Sequence, residues 1–129
     1  MAAAAPTMSV TSFLDNRNKS GNWRPVWEYV LKGLWDADDT ADGEIELTIN
    51  GILQKVILTV PDTANAVTGQ VVITDNGDNT IFDSGEKAEA VTYAFSVNEP
   101  LCGTTTVTIG ISAASGTAAT NVVVTLRGI

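Results

Sequence analysis

The most constraining stretch of this chain is Glu44-Ile-Glu-Leu-Thr-Ile-Asn50-Gly51-Ile-Leu-Gln-Lys-Val-Ile-Leu-Thr-Val60, where alternating apolar residues flank the dipeptide favoured in two-residue hairpin turns. Read as a type I′ hairpin, it sets Ile49 opposite Ile52, Leu47 opposite Gln54 and Ile45 opposite Val56. Period 2 then gathers Ile45, Leu47, Ile49, Val56, Leu58 and Val60 on one face, together with Ile52. Leu53 and Ile57 point the other way, which implies that part of the second face is covered too. Pro61 ends the run by removing a backbone donor.

The remainder repeats this texture. The chain has 129 residues, of which 17 are Thr, 14 Val and 9 Ile, the types that fit a pleated and half-buried surface. Short strands are expected at 70–74, 80–82, 90–97, 104–111 and 119–126, separated by Gly-, Asn-, Asp- and Ser-rich turns. No helical crossovers separate them. The expected fold is therefore mostly β: an antiparallel β-sandwich or jelly-roll-like barrel of about seven strands.

Two segments depart from that pattern. Trp23, Val26, Trp27, Val30, Leu31, Leu34 and Trp35 recur at helical spacing, and Arg24, Glu28 and Lys32 fall on the far side. The spacing predicts one short helix near 23–35, its tryptophan stripe serving as a plug on the β core or as an interface. Residues 1–22 are Ala-, Ser-, Thr- and Asn-rich and hold one apolar cluster, Val10, Phe13 and Leu14, followed by Arg17 and Lys19. This part is expected to be an extended arm, mobile or laid onto another surface, preceding a single β domain over 23–129.

Charge narrows the partners. Of the formal net charge of −8, residues 1–32 contribute +2 and residues 33–129 contribute −10. An acidic body repels phosphate, which argues against nucleic acid as the main partner. No stretch approaches the length needed to span a bilayer, and the Ala-rich start lacks the features of a secretory signal, so synthesis in a cytosol and no membrane partner are expected.

Catalytic chemistry has little to work with. The chain contains no histidine and one cysteine, Cys102, so histidine-based triads and the usual zinc sites cannot be built. Cys102 is expected to be a small buried hydrophobe. The aspartates of 36–42 and 75–83 suggest calcium loops, but with Asp36 in the first position the sixth is Ala41 and the twelfth Leu47, so turn chemistry explains them better. The expectation is a non-enzyme with no cofactor and no metal.

Taken together, the Ala-rich start, polar arm, Trp-bearing segment and small acidic Thr/Val-rich body resemble in overall style the virion accessory proteins of tailed bacteriophages, in particular head-decoration or cement proteins. The resemblance implies a virion protein that binds capsid or other protein subunits, as a homo-oligomer. It also implies arm contacts through Val10, Phe13, Leu14, Arg17 and Lys19, with Trp23, Trp27 and Trp35 at an interface or plugging the core. The alternatives are a tail-tube or tail-fibre component, or a carbohydrate-binding or adhesin-type β-sandwich module.

Overall fold

The computed structural model describes residues 6–15 and 26–129. Nine strands are present among these residues: β1 (Thr7–Asp15), β2 (Trp27–Trp35), β3 (Gly43–Thr48), β4 (Gly51–Val60), β5 (Gly69–Thr74), β6 (Thr80–Asp83), β7 (Val91–Leu101), β8 (Thr104–Ile111) and β9 (Thr120–Gly128). They form two antiparallel sheets, one of five strands in the order β1-β2-β9-β4-β7 and one of four in the order β3-β8-β5-β6. Each strand turns one apolar face inward, so Leu31, Val56, Leu58 and Leu126 of the larger sheet share a core with Ile73, Val107 and Ile109 of the smaller. The expected antiparallel sandwich is what forms.

The strand count rises from seven to nine because the first two segments are strands as well. Trp27 to Trp35 is not a helix. Trp27, Leu31 and Trp35 are buried, and spacings of four and eight suit period 2 as well as period 3.6. The residues between them decide. Tyr29 packs against the core and Gly33 is buried on that same side, while Val30 and Leu34, which a helix would place in the apolar stripe, lie half-buried on the outer face. β2 pairs along its whole length, from Trp27 opposite Gly128 to Trp35 opposite Thr120, and bulky aromatic residues favour that pleated setting. The part of the expected helix at 23–25 lies outside the described residues.

Within the expected arm, Thr7–Asp15 is laid on the body of the same molecule as an edge strand, with Thr7 opposite Leu34 and Asp15 opposite Trp27. A register shift between Val10 and Ser12 marks a bulge. Met8 packs against the core, and a side chain added at Gly43 would meet its sulfur.

The Asn50-Gly51 dipeptide does not make a hairpin. β3 pairs with β8 in the small sheet, whereas β4 lies between β7 and β9 in the large one, so the chain crosses from one sheet to the other at this point. Ile49 donates its N–H to the Gly103 carbonyl at 3.0 Å, and Ile52 exchanges backbone bonds with Ile129 at 2.7 and 3.0 Å. Gly51 has φ 156° and Asn50 is not among the residues of positive φ, which rules out a type I′ turn. Ile52 and Ile57 lie half-buried away from the core residues of β4, and a strand with apolar residues on both faces is suited to the middle of a sheet. A bulge between Leu53 and Lys55 then changes the phase, sending Leu53 rather than Ile52 into the core while Val56, Leu58 and Val60 stay inside.

Candidate functional site

The larger sheet ends at β1, and no strand lies beyond it among the described residues. A nine-residue edge of about 30 Å therefore presents backbone donors and acceptors. Its sequence, Thr-Met-Ser-Val-Thr-Ser-Phe-Leu-Asp, has one charge, at the last residue, and contains none of the lysines or prolines that commonly protect such edges.

Its large side chains are also uncovered. Val10 stands opposite buried Leu31, and Phe13 opposite Tyr29, so both lie on the core-facing side, yet they are 41% and 47% exposed. Leu14 lies on the outer side opposite Glu28 and is 57% exposed. The Phe13 ring is stacked on Tyr29 with centroids 4.2 Å apart, and the Tyr29 hydroxyl donates to the Thr48 carbonyl at 3.4 Å. Apolar surface thus flanks the edge on both sides.

Of the remaining residues expected to bind partners, Trp27 and Trp35 are 2% and 0% exposed, which gives them the core role rather than the interface role. Trp35 also donates its indole N–H to the Ala41 carbonyl at 2.9 Å. Arg17, Lys19 and Trp23 lie outside the described residues. Cys102 is exposed, contrary to the burial expected of it, because Leu101 takes the core position at the end of β7 and Cys102 falls in the turn to β8.

The acidic loops fold onto themselves. Asp39 accepts the Asp36 N–H at 2.8 Å and donates its own N–H to the Asp36 carbonyl at 3.2 Å. Asp75 accepts from the Asn79 and Gly77 N–H groups, both at 2.9 Å, and from the Asn79 amide, as an Asx turn does. Among the described residues no group of three or more Asp, Glu or Cys side chains is arranged to hold a metal ion.

These bonds set a pH dependence. The backbone N–H and then the side chain of Asn79 hold the Asp75 carboxyl below the usual carboxylate range, and the Gly85 N–H and the Gln70 amide do the same for Asp83. Both groups therefore bind protons more weakly when folded. Their contribution is complete above the unfolded carboxylate pKa of about 3.9 and is lost as pH falls through the lower folded values. Thermal melts of an Asp75→Asn, Asp83→Asn variant should show a shallower decline below about pH 4 than the parent chain. Parallel declines would mean that these bonds do not shift the equilibrium.

Two hollows remain. A cleft of about 500 Å³ lies at one end of the larger sheet between Leu14, Val26, Trp27, Lys55 and Arg127. On the outer face of the smaller sheet a groove of about 170 Å³ is lined by Asp42, Gln70, Val72, Thr108 and Gly110.

An antiparallel β-sandwich whose β1 edge is open and apolar is the class of protein defined here. No family model matches the chain, and no curated protein matches it. Among solved structures, many of the similar chains are carbohydrate-binding modules. A family 22 module of Clostridium thermocellum Xyn10B has 10% identity and a TM-score of 0.41 over 99% of this chain and 88% of its own. The module TmCBM61, in complex with β-1,4-galactotriose, has 11% identity and a TM-score of 0.40 over 95% and 83%. Tailspike protein 4 of bacteriophage CBA120 has 10% identity and a TM-score of 0.38, with 95% of this chain covering 19% of that one. Likenesses at this level assign neither a family nor a ligand.

Proposed function

We propose that this chain is a structural protein that binds another protein subunit by adding that subunit's strand to the open edge of β1. In finer terms, it is a decoration protein on the outside of a phage head. The observation that supports this reading is an edge strand without protecting charges whose Val10, Phe13 and Leu14 are left uncovered on both sides. An added strand would satisfy the backbone groups and bury these side chains, the usual division between affinity and specificity in strand addition.

The test leaves the fold intact. Deleting residues 1–20 would also remove β1 and uncover β2, so point substitutions are the cleaner probe. Val10→Lys with Phe13→Lys places two charges on the edge, and binding to purified phage heads stripped of accessory proteins should weaken at least tenfold in co-sedimentation while the melting temperature moves by only a few degrees. Undiminished binding would remove the β1 edge from the interface.

One observation favours a second reading, carbohydrate binding. The groove over Gly110 offers the Asp42 carboxylate, the Gln70 amide and the Thr108 hydroxyl, groups that pair with sugar hydroxyls. Among the described residues no aromatic side chain lines it, so it lacks a stacking platform. Saturable binding of a soluble oligosaccharide, abolished by Gln70→Ala, would favour this reading over the first.

A further inference from the structure

The two outer faces of the sandwich carry opposite charge. On the larger sheet, register and burial place Glu28 and Lys32 of β2, Lys55 of β4 and Arg127 of β9 outward, three cations against one carboxylate, a sum of +2. Arg127 is paired with Glu28 at 2.6 Å, which leaves Lys32 and Lys55 as the uncompensated charges of that face. Lys87, the only other cation among the described residues, lies elsewhere, 5.7 Å from the ring centres of Tyr93 and Phe95.

The smaller sheet is the reverse. Glu44 and Glu46 of β3 are exposed opposite Thr108 and Thr106, Asp83 of β6 is exposed opposite Val72, and Asp42 lies over Gly110. No Lys or Arg occurs on β3, β5, β6 or β8, so this face sums to −4. The sheets are held about 10 Å apart, and the molecule is therefore a slab with a basic side and an acidic side.

We infer that a second copy of this chain is the partner for these faces, with the basic five-stranded face of one molecule seated on the acidic four-stranded face of the next. Charge complementarity supplies the choice of partner and its orientation. Repulsion between two bodies of −8 opposes contact, but at about 0.15 M salt it is screened beyond about 8 Å, whereas charges brought together across the contact are not. The overlap is small. Four strands spaced about 4.8 Å apart and about six residues long cover roughly 400 Å² a side, below a standard interface, so the contact is weak and concentration-dependent. Because it joins unlike faces, it repeats as a stack or ring instead of closing as a twofold dimer. This contact uses the sheet faces and stands apart from the β1 edge.

Sedimentation velocity with charge-reversed variants tests it. In about 0.15 M salt the parent chain should associate progressively with concentration, and about 1 M salt should disperse it. A Lys32→Glu, Lys55→Glu variant keeps only the native acidic face, and a Glu44→Lys, Glu46→Lys variant keeps only the native basic face, so each alone should be monomeric. Mixed in equal amounts they should recover association, since the native basic face of one variant meets the native acidic face of the other. A parent chain that stays monomeric at millimolar concentration overturns the inference. So does failure of the mixture to pair while both variants show the parent's β spectrum. Association of the parent that survives both reversals but is lost with Phe13→Lys would assign it to the β1 edge instead.

Discussion

Replacing Trp35 by Ala should lower stability by about 3–5 kcal/mol, the range for truncating a large buried aromatic, and so remove a large part of the about 5–15 kcal/mol that holds an ordinary domain together. Trp35 is fully buried at the end of β2, and its ring occupies the space left by Gly33: an added Cβ there would collide with it. The substitution leaves a cavity and also strands the Ala41 carbonyl, which accepts the indole N–H at 2.9 Å. Trp35→Phe should recover much of the packing but not the hydrogen bond, placing it between the two. Leu34→Ala is the informative control. A helix would place Leu34 in the apolar stripe, whereas β2 puts it half-buried on the outer face, so its cost should be under about 1.5 kcal/mol. Denaturant titration reads all three, and equal losses for Leu34→Ala and Trp35→Ala would contradict β2.

The second large effect is expected at Gly128, where any side chain meets the Ile52 backbone carbonyl and the Trp27 ring. Gly128 stands opposite both Trp27 and Leu53, at the place where β9 is held between β2 and β4. The obstacle at Ile52 is main chain, and Ile52 is fixed by its two bonds to Ile129, so relief requires the β4 and β9 ends to separate. Gly128→Ala should therefore cost about 3 kcal/mol, at the upper end of overpacking substitutions, and Gly128→Val more. Amide exchange should rise first at Ile52 and Ile129. A melting temperature within a degree of the parent would show that these strand ends part at little cost.

Much of the architecture is legible locally. Alternation identified the strands at 70–74, 80–82, 90–97, 104–111 and 119–126, and the absence of helical crossovers gave an antiparallel sandwich. The inward faces of β7 and β9 followed from the same rule, with Tyr93, Phe95 and Val97 packed on the core and Val122, Val124 and Leu126 within it. The apolar cluster at Val10, Phe13 and Leu14 was also visible as residues, and they remain exposed on the folded chain. Burial and partner choice were not legible for Cys102, whose sequence neighbourhood says nothing about which residue takes the core position.

The limits of local reading are clearest at Trp27–Trp35 and at Asn50-Gly51. Buried residues spaced by four fit a helix stripe and a strand face equally, and only pairing with β1 on one side and β9 on the other selects the strand, because those hydrogen bonds come from residues roughly 20 and 90 positions away. Likewise, Asn-Gly permits a hairpin without requiring one. Here β4 has two apolar faces and gains more by entering the middle of the larger sheet, where β7 and β9 pair with it, than by folding back on β3. The period of the apolar residues and the turn-forming dipeptides determined that the chain is a β-sandwich. Which sheet each strand joins, that β1 ends the larger one, and how the charges divide between two faces were decided only by long-range pairing, the one term that a local window does not contain.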